Sequence, residues 1–296
     1  MRVTSSMSLR MTMRNLSSSL ERLQGSQRRL SSGKAIERVS DDPRAATDVL
    51  VLRGRIARHD QMDRTADDTR ARLAVADQTL LGVSDSMIRA KELAVQASNT
   101  GVSDSESRSA LAAEVRSLRS QLLSDANTEY LGRSIFGGTA AGPAYDAGTG
   151  ALNGNSTVES RTVAEGVRVA SNITGVQAFG DPTSGTGDVF AVLDRLATAI
   201  ESNDSAAITS EHANLDQSRL RIGSALAEVG QRSAQLIDLG ERSAIRRGQL
   251  VERLSTIEDV DLAEAVIDVT TFDTAHQAAL AAAARAMPPS LAQYLR

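Results

Sequence analysis

The chain has 296 residues, 41% hydrophobic but only 2% aromatic, with no Trp, no Cys and a net charge of −4. The missing cysteines exclude disulfides, thiolate metal sites and cysteine nucleophiles, and the mildly acidic balance gives no general basic field for nucleic acid. With no aromatic before Tyr130, the composition argues against an aromatic-lined ligand pocket and for helix packed on helix.

The first thirty residues carry Leu9, Met13, Leu16, Leu20, Leu23 and Leu30 at heptad spacing, with Gln27 in the one polar place. So narrow a stripe wants a partner helix. A matching stripe lies near the other end: Leu262, Val266, Val269, His276, Leu280, Ala283 and Met287, interrupted by Asp273. The charges of the two ends are opposite. Residues 1–32 hold six arginines against Glu21 alone, a balance of +5, and residues 251–296 hold seven acids against Arg253, Arg285 and Arg296, a balance of −4. A chain that pairs its own ends is predicted.

No apolar run approaches the about 18–20 residues of a membrane span. Ser, Thr and Arg interrupt the N-terminal stretch, so no secretory signal peptide is expected. Ser40-Asp41-Asp42-Pro43 offers an acidic N-cap with proline at the first helical position, opening a helix to about Asn99. Ser103-Asp104-Ser105-Glu106 reads as a capping box for the next helix, which ends near Glu129. Eleven of the 21 glycines then fall between Gly137 and Gly187, and Val167-Arg168-Val169 and Asn172-Ile173-Thr174 read as short strands. Asp188 starts a further helix, about 80 Å long if unbroken to residue 240, with Asn203-Asp204-Ser205 as a candidate break. The last helix ends before Pro288-Pro289.

The fold expected is mainly α: an elongated antiparallel helical rod with paired terminal coiled-coil helices and a small β-rich insert. Its parts are the paired terminal helices at 1–32 and 251–296, a long-helix rod at 33–136 and 188–250, and a Gly-rich, solvent-facing β insert at 137–187.

No catalytic constellation is present. His59, His212 and His276 share no metal-ligand spacing, and no zincin, nucleophile-elbow or phosphate-loop pattern occurs. Gly132 and Gly137-Gly138 read as turn glycines, and Asp41-Asp42 as a cap rather than a carboxylate pair. The Ala-rich run 278–286 reads as a close-packing helix rather than a membrane-surface one. The chain is expected to be no enzyme and to need no cofactor or metal.

The segment Leu30-Ser31-Ser32-Gly33-Lys34, with Ile36 and Ser40-Asp41-Asp42-Pro43, closely resembles the signature of the flagellin superfamily. The likeness continues through Leu52-Arg53, Ile56, Arg89, Glu92 to Ala97 and Asn99-Thr100. It resumes in Ala126-Asn127-Thr128, Ile257 to Asp261 and Glu264-Ala265. Met1-Arg2-Val3-Thr4, the run Gly132 to Thr139, Gly166 to Val169 with Asn172 to Gly175, and the ending Ser290-Leu291 with Tyr294-Leu295 are most similar to the hook-filament junction branch of that superfamily.

The resemblance implies a structural subunit of the bacterial flagellum. It implies a homo-oligomeric ring of about eleven copies between the first junction protein and flagellin, passing torque from hook to filament. It also implies export by the flagellar type III route under a cytosolic chaperone, and neither nucleic acid nor membrane as partner. The assembly seam would be the two stripes, Leu9 to Leu30 and Leu262 to Met287. Ser31, Gly33, Lys34, Asp42 and Pro43 would form the linker and cap between inner and outer layers. A filament-forming flagellin and a non-flagellar coiled-coil adaptor are the alternatives.

Overall fold

The computed structural model describes residues 2–98 and 104–286. It is 73% helical, with two small two-stranded sheets, so the chain is mainly α with a small β component. In order the elements are α1 (Arg2–Ser32), α2 (Pro43–Ser98), α3 (Ser105–Ala126), β1 (Glu129–Tyr130), β2 (Arg133–Ser134), β3 (Ser160–Ala164), β4 (Val167–Ala170), α4 (Gly175–Phe179), α5 (Val189–Ser202), α6 (Ser205–Glu258) and α7 (Leu262–Ala286). They fall into two compact units. One comprises Met1–Arg58 with Arg246–Arg296, the other His59–Ile245, and α2 and α6 contribute to both.

Helix ends follow local chemistry. Asp42 Oδ1 accepts from the amides of Arg44 and Ala45 at 2.9 and 3.1 Å, with Pro43 at the first helical position of α2. The cap of α3 lies one residue later than the Ser103–Glu106 spacing suggests. Asp104 is the N-cap and accepts from Ser107, while Ser103 lies outside the described residues. A carboxylate competes better than a hydroxyl for the exposed amides of a first turn. α3 stops at Ala126, short of Glu129.

The helix opened by Asp188 is not continuous. Asn203 takes a left-handed conformation at φ 52°, and Asp204 Oδ1 accepts from Ala206 and Ala207, ending α5 and starting α6. The expected strand at Asn172-Ile173-Thr174 is instead an irregular segment that leads into α4, with Thr174 as its N-cap. Thr174 and Gln177 form a capping box there, and Ile173 is buried. Val167–Val169 does lie in a strand, paired antiparallel with β3. Leu131 and Gly132, both at positive φ, turn the chain between β1 and β2, as the tightest hairpins require.

The larger unit holds an extensive core along the facing sides of its helices, including Leu73, Leu80, Val83, Met87, Leu93, Val115, Leu122, Leu193 and Leu215. Its aromatics are concentrated: Phe136, Tyr145, Phe179 and Phe190 are fully buried or nearly so, with ring centroids 4.9–5.8 Å apart and mostly edge to face. Such pairs add about 0.5–1.5 kcal/mol each beyond area burial. The β3–β4 hairpin is held to α2 by charge. Arg161 pairs with Asp68, and buried Arg72 reaches Glu159 at 3.3 Å and the Ser134 carbonyl at 3.2 Å.

The Tyr145 hydroxyl is buried and donates no hydrogen bond. Burial, with help from Asp188, pushes its pKa well above the ordinary phenol value. Tyr145→Phe removes an uncompensated polar atom and keeps the ring. It should leave stability unchanged or raise it by about 1 kcal/mol, whereas Tyr145→Ala should cost about 3–5 kcal/mol. Denaturant unfolding of both variants gives the comparison.

Candidate functional site: the terminal hairpin and its linker

In the smaller unit the two connecting segments meet. The Ala35 amide donates to the Glu258 carbonyl at 2.7 Å and the Val260 amide to the Gly33 carbonyl at 3.0 Å, an antiparallel bridge with Lys34 opposite Asp259. Gly33 sits at φ +68°, a conformation side-chain-bearing residues rarely adopt. The Glu258 carboxylate, its side chain only 4% exposed, takes both the Lys34 ammonium and the Arg53 guanidinium, the latter at 2.5 Å. Burial would raise the Glu258 pKa, but the hydrogen bonds from Lys34 and Arg53 outweigh it and hold the carboxyl below its ordinary value. Asp41 Oδ2 accepts from the Arg38 amide at 2.9 Å and the Glu37 amide at 3.3 Å, which lowers its pKa and folds the linker before α2. Asp261 caps α7 through the amides of Ala263 and Glu264.

α1 runs into this bridge, α7 runs out of it, and the two helices pack together. They are therefore antiparallel. Their contact line takes only one edge of each heptad stripe. Its most buried members are Leu23, Ser26, Ala265 and Ala283. Of the predicted seam, Leu23 is buried, and Leu16, Leu30, Val269 and His276 are half-buried. Met13 (57%), Leu20 (42%), Leu262 (59%), Val266 (49%) and Leu280 (45%) are exposed. Leu9 lies in α1, but its side chain is outside the described residues, as is Met287 altogether.

At 3.6 residues per turn the exposed members of each stripe lie roughly 70–100° around the helix from the contact line. Because the helices are antiparallel, both offsets turn the same way, and the two stripes share one flank of the hairpin. The small residues explain the shift. Ser26 and Ala265 permit close helix approach along a line the leucines would block.

The opposite charges of the ends do not meet as expected either. Among the described residues no ion pair joins α1 to α7, and the α1 arginine that does pair, Arg28, meets Glu37 in the linker at 3.8 Å. Of the linker residues, Lys34, Gly33, Asp42 and Pro43 take part in the bridge and the α2 cap, while Ser31 is exposed at the end of α1. The Glu258 clamp was not foreseen. Its only sequence signal was the resemblance in Ile257 to Asp261.

Among the described residues no helix is long and apolar enough to cross a membrane, and no cluster of side chains suited to a metal occurs.

Residues 3–141 match the bacterial flagellin N-terminal helical region. That match, just under half of the chain, is what it shares with the flagellins. Along most of its length the chain is similar to flagellar hook-associated protein 3. It is 28% identical to that protein of Salmonella typhimurium over 285 residues, 88% of this chain and 89% of the relative. It is 26% identical to that of Escherichia coli over 300 residues, 94% of each. The fold is shared with the crystal structure of Bacillus cereus FlgL, at a TM-score of 0.60 and 23% identity over 69% of this chain and 99% of that one. These relatives are structural parts of the bacterial flagellum.

Glu258→Ala should raise amide exchange at Ala35 and Val260 about tenfold or more and cost about 1–2 kcal/mol, since its partners are half-exposed and can rehydrate. With a lowered folded value, the carboxyl contributes stability above its unfolded value of 4.5 and loses it as pH falls through the folded value. Protection of the two amides in the parent should therefore decay below about pH 4.5, as hydrogen exchange can follow. In Glu258→Gln that decay should be absent.

Proposed function

We propose that this protein is the structural subunit joining the flagellar hook to the filament, the second of two junction layers. The observation that carries this reading is the exposed apolar flank of the α1–α7 hairpin, Met13, Leu20, Leu262, Val266 and Leu280, on a chain similar along most of its length to hook-associated protein 3. An apolar face on so thin a unit needs other copies to cover it.

In this reading 1–32 and 251–296 form the inner layer of a tube. Residues 33–136 and 188–250 form the outer helical layer, and 137–187 faces solvent. About eleven copies close one ring, contacting the first junction protein below and flagellin above, and pass torque between them. The seam residues act between copies. Ser31, Gly33, Lys34, Asp42 and Pro43 set the angle between layers. The subunit leaves the cell by the flagellar type III route, its C-terminal stripe covered beforehand by a cytosolic chaperone. No cofactor takes part, and no chemistry is assigned to the chain.

Deleting the gene should leave hooks intact and release filaments and flagellin to the medium. Loss of flagellin polymer with an intact junction would instead make the chain a filament flagellin, and unchanged flagella would make it a non-flagellar adaptor. A second test separates assembly from folding. Met13→Ser with Leu20→Ser should change the stability of the isolated chain by no more than about 0.5 kcal/mol, because both positions are exposed, yet abolish filament attachment. Removal of residues 262–296 should leave the helical content of the larger unit while abolishing attachment.

A further inference from the structure

We infer that the outer layers of neighbouring copies join as knob and socket: Leu131, at the tip of the β1–β2 hairpin of one copy, seats beside Gly240 in a groove between α2 and α6 of the next. This deepens the assembly reading and rests on it.

Leu131 combines two features that its own chain does not use. It is 81% exposed, and its backbone stands at φ 51°, in the left-handed region. A side-chain-bearing residue held there is strained, and the turn itself is better served by glycine or asparagine. The hairpin is fixed in place by α2. The Tyr130 hydroxyl donates to Asp68 at 3.3 Å, and the Ser134 carbonyl accepts from Arg72 at 3.2 Å.

The socket is a groove with a cavity of about 510 Å³, which Asp63, Ala66, Asp67 and Arg70 line on α2. Its α6 wall includes Ile237, 50% exposed, and Gly240. A glycine inside a helix costs stability, yet a Cβ added at Gly240 would meet nothing within 4 Å. Packing within the chain does not call for this glycine. Its effect is to deepen the groove.

The charges of knob and socket are complementary. Arg70 pairs with Asp67 at 2.9 Å, which leaves the rim acids Asp63 and Glu241 without an ion pair among the described residues. Next to the tip, Arg133 is half-exposed and stands 4.0 Å from Glu159, a carboxylate that Arg72 approaches more closely, at 3.3 Å. Glu129 lies one strand pair further from the tip. Arg133 is thus the cation that would meet the acidic rim, the pairing a guanidinium forms best.

Knob and socket also stand at one level on opposite sides of α2. Asp68 and Arg72, which hold the hairpin, point on average roughly 180° away from the four groove residues, and the mean positions differ by roughly 5 Å along the axis. A contact so placed steps sideways from copy to copy without climbing. Its two faces are unlike, so copies join head to tail and close as a ring.

The chain has no cysteine, so the contact can be trapped on the full protein. Leu131→Cys chains mixed with Ile237→Cys chains at high concentration should form mixed disulfide dimers. Leu131→Cys mixed with Leu220→Cys should not. Leu220 is 69% exposed but lies roughly 26 Å along α6 from Ile237.

Leu131→Asn suits a left-handed backbone, and Gly240→Leu extends into open space on a helix. Both should leave the unfolding midpoint unchanged or higher, yet each should weaken self-association, measured by sedimentation, at least about tenfold. Arg133→Glu should weaken it as well, and adding Asp63→Arg with Glu241→Arg should restore it. Cross-linking at Leu220 as strong as at Ile237 overturns the contact. So does undiminished association of Leu131→Asn or Gly240→Leu, or a parent that stays monomeric at every concentration. If Gly240→Leu weakens association while the Leu131–Ile237 pair stays unlinked, another segment fills the groove and the contact is likewise wrong. A deletion strain that sheds its filaments keeps the junction reading in any of these cases.

Discussion

Two helices side by side have a single line of contact, and that geometric fact governs the terminal unit. Each helix covers only part of its circumference against the other. In this chain the line is taken by small residues, Ser26, Ala265 and Ala283, with Leu23. The larger apolar residues are displaced to the flank. Across the described residues of the smaller unit the buried apolar side chains are Leu23, Ala46, Val49, Leu52, Ala265 and Ala283. Burying a methyl group is worth far less than burying a leucine side chain, so this unit gains little from its own packing. The exposed leucines and methionines are the unused part of its driving force.

The larger unit is built the opposite way. It spends its few aromatics in one place, where Phe136, Tyr145, Phe179 and Phe190 interlock, and it fixes the β3–β4 hairpin to α2 through Arg72, Asp68, Glu159 and Arg161. Most of its large apolar side chains are buried in this core, with Leu131, Leu220 and Ile245 among those left exposed. The physical contrast is between a unit whose hydrophobic effect is mostly satisfied within the chain and one whose is mostly not.

Much of this was legible in the residues. The Asp42-Pro43 start, the cap at Asp188 and the break at Asn203 each follow from side-chain chemistry acting on the nearest amides. The α4 cap was also written in the sequence, as Thr174 followed three residues later by Gln177, but short β-branched runs read as strands when considered alone. The heptad stripes were visible, yet their partner was not. A period of three and four says that a face is apolar, and nothing in it says which surface covers the face. Ala265, outside the stripe, and Ala283, at its edge, are 18 residues apart and so about five turns along one line; together they were the trace of the real contact. Long-range ion pairs are harder still. Glu258 and Arg53 are 205 residues apart, and only the fold brings them together.

The Glu258 clamp connects these two themes. It sits where α6 ends and α7 begins, and it gathers Lys34 from the linker and Arg53 from α2 onto one buried carboxylate. Two main-chain hydrogen bonds on either side of Lys34 and Asp259 lock the register of the antiparallel pair. A slip of one residue along α7 would rotate its stripe by roughly 100° relative to α1, and the two apolar bands would no longer lie on one flank. The same slip would move Asp261, Glu264 and Asp268 relative to the arginines of α1. A short polar junction therefore sets the geometry of an apolar surface that begins next to it and extends along both helices. The strength of the hairpin's own packing is secondary, because the clamp needs only to fix an angle and a register for surfaces that other molecules complete.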